Sequence, residues 1–338
     1  MSAMYASALR HLPSQAVPFF SLSYPLPTPV QPDSFPEASY YGVGPLDLCV
    51  VLSCVVALGA VRDASRLLIL EPFARWYLSS DDSGLREQGV KTEKSANSAR
   101  KPSQREILRE RSVLRFAEQG YQFLYFLVFF FYSFHLHVNF PHSPWRLDNL
   151  WRDYPHYPLP ASVKFHYLSQ GAFWLHSVLV LHAEAHRADH WQMMTHHFVT
   201  IALMSTSYVA NYTRVGCIIL FVTGWCDILF PLAKMLRYLG LTTACDIAFG
   251  FFAVSWIITR QVLFSQIVWS VYHLPRLVSF KWDPQSGHYL TPAAYWGFLT
   301  LLSALLVMFC VWSTMMFGVV YKVLRGQPAE DTRSDDES

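Results

Sequence analysis

Charge is the scarcest commodity in this sequence of 338 residues: Asp, Glu, Lys and Arg together make up 15%, against about 25% in a water-soluble chain. That shortfall disfavours a soluble globular enzyme, while 52% hydrophobic and 16% aromatic residues exclude a disordered protein. Cysteine is sparse as well. The six present (Cys49, Cys54, Cys217, Cys226, Cys245 and Cys310) lie in or beside apolar runs and form no CxxC pair, which excludes a metal-type cysteine pair and an extracellular disulfide framework. With 26 basic against 24 acidic residues there is no domain-sized basic face, so nucleic acid is not an expected partner. The chain does not open with a basic start, an apolar core and a cleavage site, and no cleavable signal peptide is expected. What remains is a chain that uses lipid as part of its solvent.

Pro13, Pro18, Pro25, Pro27, Pro29, Pro32 and Pro36 punctuate residues 1–44, and such repetition removes backbone donors and predicts an irregular arm. Beyond it, apolar runs near 45–61, 117–138, 166–183, 196–212, 215–236, 246–270 and 295–321 approach the ~20 helical residues that cross a bilayer. The third and fourth are short and carry polar groups. The expected fold is an all-α polytopic membrane bundle of about seven transmembrane helices: one N-terminal span at 45–61 and a six-span domain over 116–325. The intervening stretch, 62–115, is rich in Lys and Arg and is expected as a basic loop, mobile in its middle. Basic loops stay cytosolic, which sends the Pro-rich arm to the lumen and the acidic tail, 326–338, to the cytosol. Lys322 and Arg325 after the last run agree. The sequon Asn211-Tyr212-Thr213 then falls in a lumenal turn, too near the membrane to be glycosylated.

Ionisable groups inside spans are costly, so each marks a candidate site. His196 and His197 open the fourth run; helical neighbours point about 100° apart, so their roles should differ. Asp227 lies seven residues before Lys234 and ten before Arg237, roughly 10–15 Å inside the cytosolic end at helical rise. The two runs are antiparallel, and histidines and aspartate should share a depth. A buried carboxylate needs a partner. An imidazole is the expected one, because a carboxylate fixes its tautomer and stabilises imidazolium; serines are the structural alternative. The connection from Glu184 to Gln192 suits either a solvated turn or the anchoring of an anionic cosubstrate. His182, His186 and His190 repeat every four residues, which would place them on one helical face. Such HxxxH spacing is similar to the iron boxes of membrane desaturases and hydroxylases. Those enzymes need further HxxHH-type boxes that this sequence lacks, so a di-iron lipid hydroxylase is a minor reading and no metal site is expected.

A longer pattern is more specific. Trp151-Arg152-Asp153-Tyr154-Pro155 is followed by Lys164, Tyr167-Leu168-Ser169-Gln170 and Phe173-Trp174. Then come Glu184, Arg187, Asp189-His190-Trp191-Gln192-Met193, His196-His197, Thr200, Ser207-Tyr208, Asn211, Arg214 and Gly216, closing with Asp227-Ile228-Leu229 and Ala233-Lys234. This ordered series resembles the ceramide synthase (longevity-assurance) family with its TLC membrane domain. Tyr41-Gly42-Val43-Gly44, Arg62, Glu71-Pro72 and Arg115-Phe116-Ala117-Glu118-Gln119 look like its fungal branch. The similarity spans most of 40–325.

The resemblance implies a multi-pass endoplasmic-reticulum enzyme that joins a fatty acyl-CoA to the amine of a sphingoid long-chain base. Acyl-CoA would be a cosubstrate, no further cofactor is implied, and homo- or hetero-oligomers with other synthase subunits are compatible with it. His196 or His197 would serve as base or take the acyl group first as nucleophile, with Asp227 orienting the ring. Arg187, Asp189, Lys234 and Arg237 would bind substrate, the cations meeting CoA phosphates. One departure stands out. The family usually carries two aspartates three residues apart in the fifth span; here Thr223-Gly224-Trp225-Cys226-Asp227 puts Gly224 in the first position. A catalytically impaired paralogue that binds lipid or modulates an active synthase is therefore a second reading. A role in self-protection against sphinganine-mimicking toxins is compatible with either.

Overall fold

Inside a bilayer every backbone N–H and C=O must be paired within the protein, which for apolar runs of this length means helix. The computed structural model describes residues 11–30, 32, 34–86, 104–140, 147–183 and 189–325, and the apolar runs are helical throughout. Helix α1 (Asp47–Ser65) passes through a π-helical turn, Arg66–Leu70, into α2 (Glu71–Arg86). There follow α3 (Gln104–Asn139), α4 (Ala161–Ala183), α5 (His190–Val209) and α6 (Thr213–Tyr238). Helix α7 (Thr242–Trp256) continues through a π-helical segment, Ile257–Leu263, into α8 (Phe264–Tyr272), and α9 (Pro292–Leu324) ends the described chain. The start of α9 is written locally: Thr291 caps the Ala294 N–H and Pro292 takes the first turn, where its missing donor costs nothing.

Among the described residues, five stretches are long and apolar enough to cross a membrane: Asp47–Ser79, Gln104–Asn139, Thr213–Tyr238, Thr242–Tyr272 and Pro292–Val323. The other two expected runs form α4 and α5, of 23 and 20 residues. Length does not separate them from the rest; composition does. Lys164, His166, Ser169, Gln170 and His176 on α4, and His190, His196, His197, Thr200 and Ser207 on α5, all lie buried. These helices lower their hydropathy by aiming polar groups into the protein.

Two boundaries differ from the sequence reading. The first span runs on past residue 61, and residues 66–86 and 104–115 of the expected basic loop are helical. Leu70 and Ala74 pack on Val113, Phe116 and Ala117, and Arg75 pairs with Glu110 at 2.7 Å. An apolar stripe hidden among the charges closes this hairpin. Residues 87–103, the middle of that loop, lie outside the described residues, as does the acidic tail. The Pro-rich arm also has order: strands β1 (Pro25–Leu26), β2 (Tyr40–Tyr41) and β3 (Leu159–Pro160) form a small antiparallel sheet in that order, capping the end where α1 and α4 begin.

Beneath this cap lies a fully buried lysine. Lys164 Nζ pairs with Asp47 at 2.7 Å and donates to the Ser23 and Gly42 carbonyls. Asp47 in turn accepts from the Tyr208 hydroxyl and the Gly44 N–H. One charge pair thus ties the arm to α1, α4 and α5. Elsewhere aromatic rings carry the packing: α3 lies against α6 with Phe130 on Phe221 at 5.3 Å and His137 stacked on the same ring at 5.0 Å. Gly216 of α6 lets α4 come close, since a Cβ there would overlap the Tyr167 phenol.

Removing one member of a buried ion pair strands the other, which costs about 3–5 kcal/mol. Lys164→Met is therefore expected to lower the unfolding temperature in detergent sharply, and the double variant with Asp47→Asn to regain part of the loss; tryptophan fluorescence on heating reads both. Asn211 is 1% exposed and its amide donates to the Gly287 carbonyl at 2.8 Å. Its nitrogen is thus used by the fold itself. Expression in eukaryotic cells followed by endoglycosidase treatment is expected to leave the gel mobility unchanged.

Candidate active site

Helix directions alternate, so α1, α4, α6 and α9 finish at the end of the bundle where α3, α5 and α7 start. Charges placed near those helix ends converge without being near one another in sequence. A cavity of about 350 Å³ opens among these helices. Toward this end its walls include Arg62, Glu118, Asp189, Lys234 and Arg237; deeper in come His196, His197, Asp227 and Arg260. Seven residues separate Asp189 from His196 and Asp227 from Lys234, about 10 Å of helix in each case, which sets imidazoles and carboxylate at a common depth.

Both histidines are buried, at 8% and 6% exposure, and the Nδ1 of each lacks a hydrogen-bond partner. Their rings stand 5.5 Å apart. Trp174 of α4 flanks both, at 5.6 and 5.3 Å, while Trp312 and Phe309 of α9 approach His196 alone. The 100° offset of helical neighbours is visible here: His197 has no ring contact with α9, and His196 does. Buried polar nitrogens without partners are rare. Both residues also line the cavity, which leaves the rest of each ring as the part a substrate can reach.

The expected partnership of Asp227 with an imidazole is not what the structure holds. The hydrogen bond of the Asp227 carboxylate comes from Arg260, Nη2 to Oδ1 at 2.5 Å. The reason is a hierarchy of costs: an unpaired buried guanidinium is far more expensive than a neutral ring, so the acid goes to the cation. Arg260 also donates to the Thr223 carbonyl at 3.3 Å and lies over the Trp256 and Phe309 rings at 4.9 and 4.7 Å. The sequence reading missed this residue, although a basic side chain in the middle of the run 246–270 was itself the signal.

Of the expected substrate-binding residues, Asp189, Lys234 and Arg237 line the cavity, with the Lys234 ammonium over the Phe230 ring at 4.4 Å. Arg187 lies outside the described residues, together with Glu184 and His186. Of the histidine series, His182 lies on α4 and His190 opens α5, so these two do not share one helical face; His186 lies outside the described residues. Among the described residues no group of three or more His, Cys, Asp or Glu is placed to hold a metal ion. Gly224 is buried but does not line the cavity. A Cβ there would meet Phe130 of α3 at 3.8 Å, an ordinary contact.

The arrangement offers two imidazoles able to take up a proton or an acyl group, a fixed guanidinium–carboxylate pair beside them, apolar walls for chains, and cations toward one end. Comparison with known proteins agrees with that chemistry. The family model described as the TLC domain matches residues 115–318. The sphingosine N-acyltransferase lag1 of Schizosaccharomyces pombe is 36% identical over 326 residues, covering 95% of this chain and 73% of its own. The ceramide synthase FUM18 of Gibberella moniliformis is 34% identical over 330 residues, with 90% and 70% covered. Outside the fungi, the ceramide synthase hyl-2 of Caenorhabditis elegans is 31% identical over 239 residues, with 67% and 69% covered. With the domain match and these similarities in hand, the chain belongs to the TLC-domain family of ceramide synthases.

Proposed function

We propose that this protein is a sphingoid base N-acyltransferase that transfers the acyl group of a fatty acyl-CoA to the amine of a sphinganine-type base. The observation that carries the reading is the pair His196 and His197, largely buried yet both on the wall of an apolar cavity. An amine attacks a thioester only when deprotonated, and a histidine is the side chain suited to take that proton near neutral pH. A histidine that first takes the acyl group and then yields it to the amine accomplishes the same transfer in two steps. Both routes need the thioester carbonyl beside the rings. Lys234 and Arg237, with Arg187 from the adjacent connection, are the cations that would meet CoA phosphates. Trp174, Phe252 and Trp312 supply apolar walls for the chains.

In this reading α4 and α5 complete seven crossings, and their buried polar faces line a site rather than face lipid. The cavity's cationic end faces the cytosol, where acyl-CoA is dissolved. The last helix, ending at Lys322 and Arg325, leaves the C-terminus on that same side, and the membrane is that of the endoplasmic reticulum. Gly224 is the one observation favouring an impaired paralogue. Its contact with Phe130, outside the cavity lining, argues that a carboxylate at this position would not face the histidines.

Expression in cells lacking ceramide synthase, followed by lipid profiling, is expected to restore N-acylated sphingoid bases. Their absence despite stable protein would overturn the reading. At least one of His196→Ala and His197→Ala is expected to lower the rate by roughly 10²–10⁴-fold, measured as ceramide formed by the purified chain. For Gly224→Asp the expected change is less than about tenfold; a gain of two decades would mean that the missing carboxylate is what limits this protein.

A further inference from the structure

Arg260 has more to offer than a countercharge for Asp227. The residue is 5% exposed and forms part of the cavity wall. A guanidinium has five N–H donors. Nη2 serves Asp227 and Thr223, while Nε is buried away from the cavity, so a substrate there can be met only by the Nη end of the fork. The fork cannot swing away: the carboxylate holds it at one edge, and the Trp256 and Phe309 rings hold its faces. The backbone beneath is unusual too. Arg260 sits at the middle of the seven-residue π-helical segment Ile257–Leu263, a departure from α-geometry that clusters at functional sites. Phe309, which holds the guanidinium, also packs against the His196 ring, centroids 6.4 Å apart.

We propose that Arg260 is a catalytic residue that receives the thioester carbonyl oxygen and stabilises the oxyanion formed during acyl transfer, with Asp227 as its positioning residue. This assignment rests on the N-acyltransferase reading. As the nucleophile, amine or imidazole nitrogen, attacks the carbonyl carbon, a C–N bond forms and the carbonyl π pair moves to oxygen. The guanidinium meets that charge. Collapse of the tetrahedral species returns the pair to the carbonyl, breaks the C–S bond and releases CoA thiolate; in direct attack a histidine passes the amine's proton to the sulfur, and in the two-step route the attacking imidazole gives up its own N–H proton to the sulfur and regains one from the amine when the acyl group moves on. In a dry chamber a fixed cation aimed at developing charge is worth far more than in water, and its removal typically costs about 10²–10³-fold in kcat. The pairing also explains why the carboxylate sits beside the guanidinium rather than an imidazole. Two rigid rings and one acid keep a charge ready that would otherwise have to reorganise during the reaction.

The test uses the full-length purified chain in lipid nanodiscs, with sphinganine and either hexadecanoyl-CoA or its 2,2-difluoro analogue, whose carbonyl is more electrophilic and needs less help. Arg260→Lys keeps a cation opposite Asp227 but loses the planar fork. It is expected to lower kcat with hexadecanoyl-CoA by about 10²-fold, to leave KM for the acyl donor within a few-fold, and to show a deficit at least about tenfold smaller with the difluoro donor. A merely structural role would give the same deficit with both donors. If Arg260→Lys does not fold, the charge-neutral pair Asp227→Asn with Arg260→Gln carries the same comparison. Wild-type kcat in either folded variant, a loss confined to KM, or a deficit independent of the donor overturns the assignment. Failure of the wild-type chain to form any N-acyl product would instead sink the acyltransferase reading itself; product from wild type with an unimpaired variant sinks only the role of Arg260.

Discussion

A guanidinium and a carboxylate facing each other in the middle of an apolar bundle set the terms for everything around them. Neither Asp227 nor Arg260 is tolerable there alone, so α6 and the π-helical stretch between α7 and α8 must be held in register. That register places Trp256 and Phe309 around the guanidinium, and Phe309 and Trp312 against His196. The wall of the cavity is thus organised outward from one charge pair. A second pair, Lys164 with Asp47, does similar work at the capped end of the bundle. One pair stands on an accessible wall and the other is sealed under a cap of strands, and this contrast separates a group poised for a substrate from one spent on architecture.

Much of this was legible in the residues themselves. The seven apolar runs became helices, and the polar content that made 166–183 and 196–212 weak as spans proved to be their inward faces. His196, His197, Asp227, Lys234 and Arg237 do share one cavity, as antiparallel neighbouring helices at matched depth require. What sequence spacing does not encode is competition. Asp227 was expected to meet an imidazole, and the histidines, 30 and 31 residues before it, lost to a cation 33 residues after it. The histidine series failed for a simpler reason: a four-residue repeat defines a face only along one helix, and His182 lies on α4 while His190 opens α5. The hairpin of α2 and α3 was hidden because charged residues at its surface outnumber the few apolar ones that close it.

The same competition reframes Gly224. Read along the sequence, it is a missing acid one turn away from a present one. Seen in the fold, position 224 looks toward Phe130, while the acid that remains already has its cation. A single carboxylate is enough to neutralise a single guanidinium, and this site is balanced as it stands.

Helix α3 is 36 residues long, about 54 Å at helical rise, and hydrocarbon fills only ~30 Å. The surplus has to rise out of the bilayer. At the end where α3 starts it is braced by α2 through Arg75 and Glu110. The two helices therefore make a breakwater beside the charged entrance, and a water-soluble visitor arriving there meets folded protein on one flank before it reaches any headgroup.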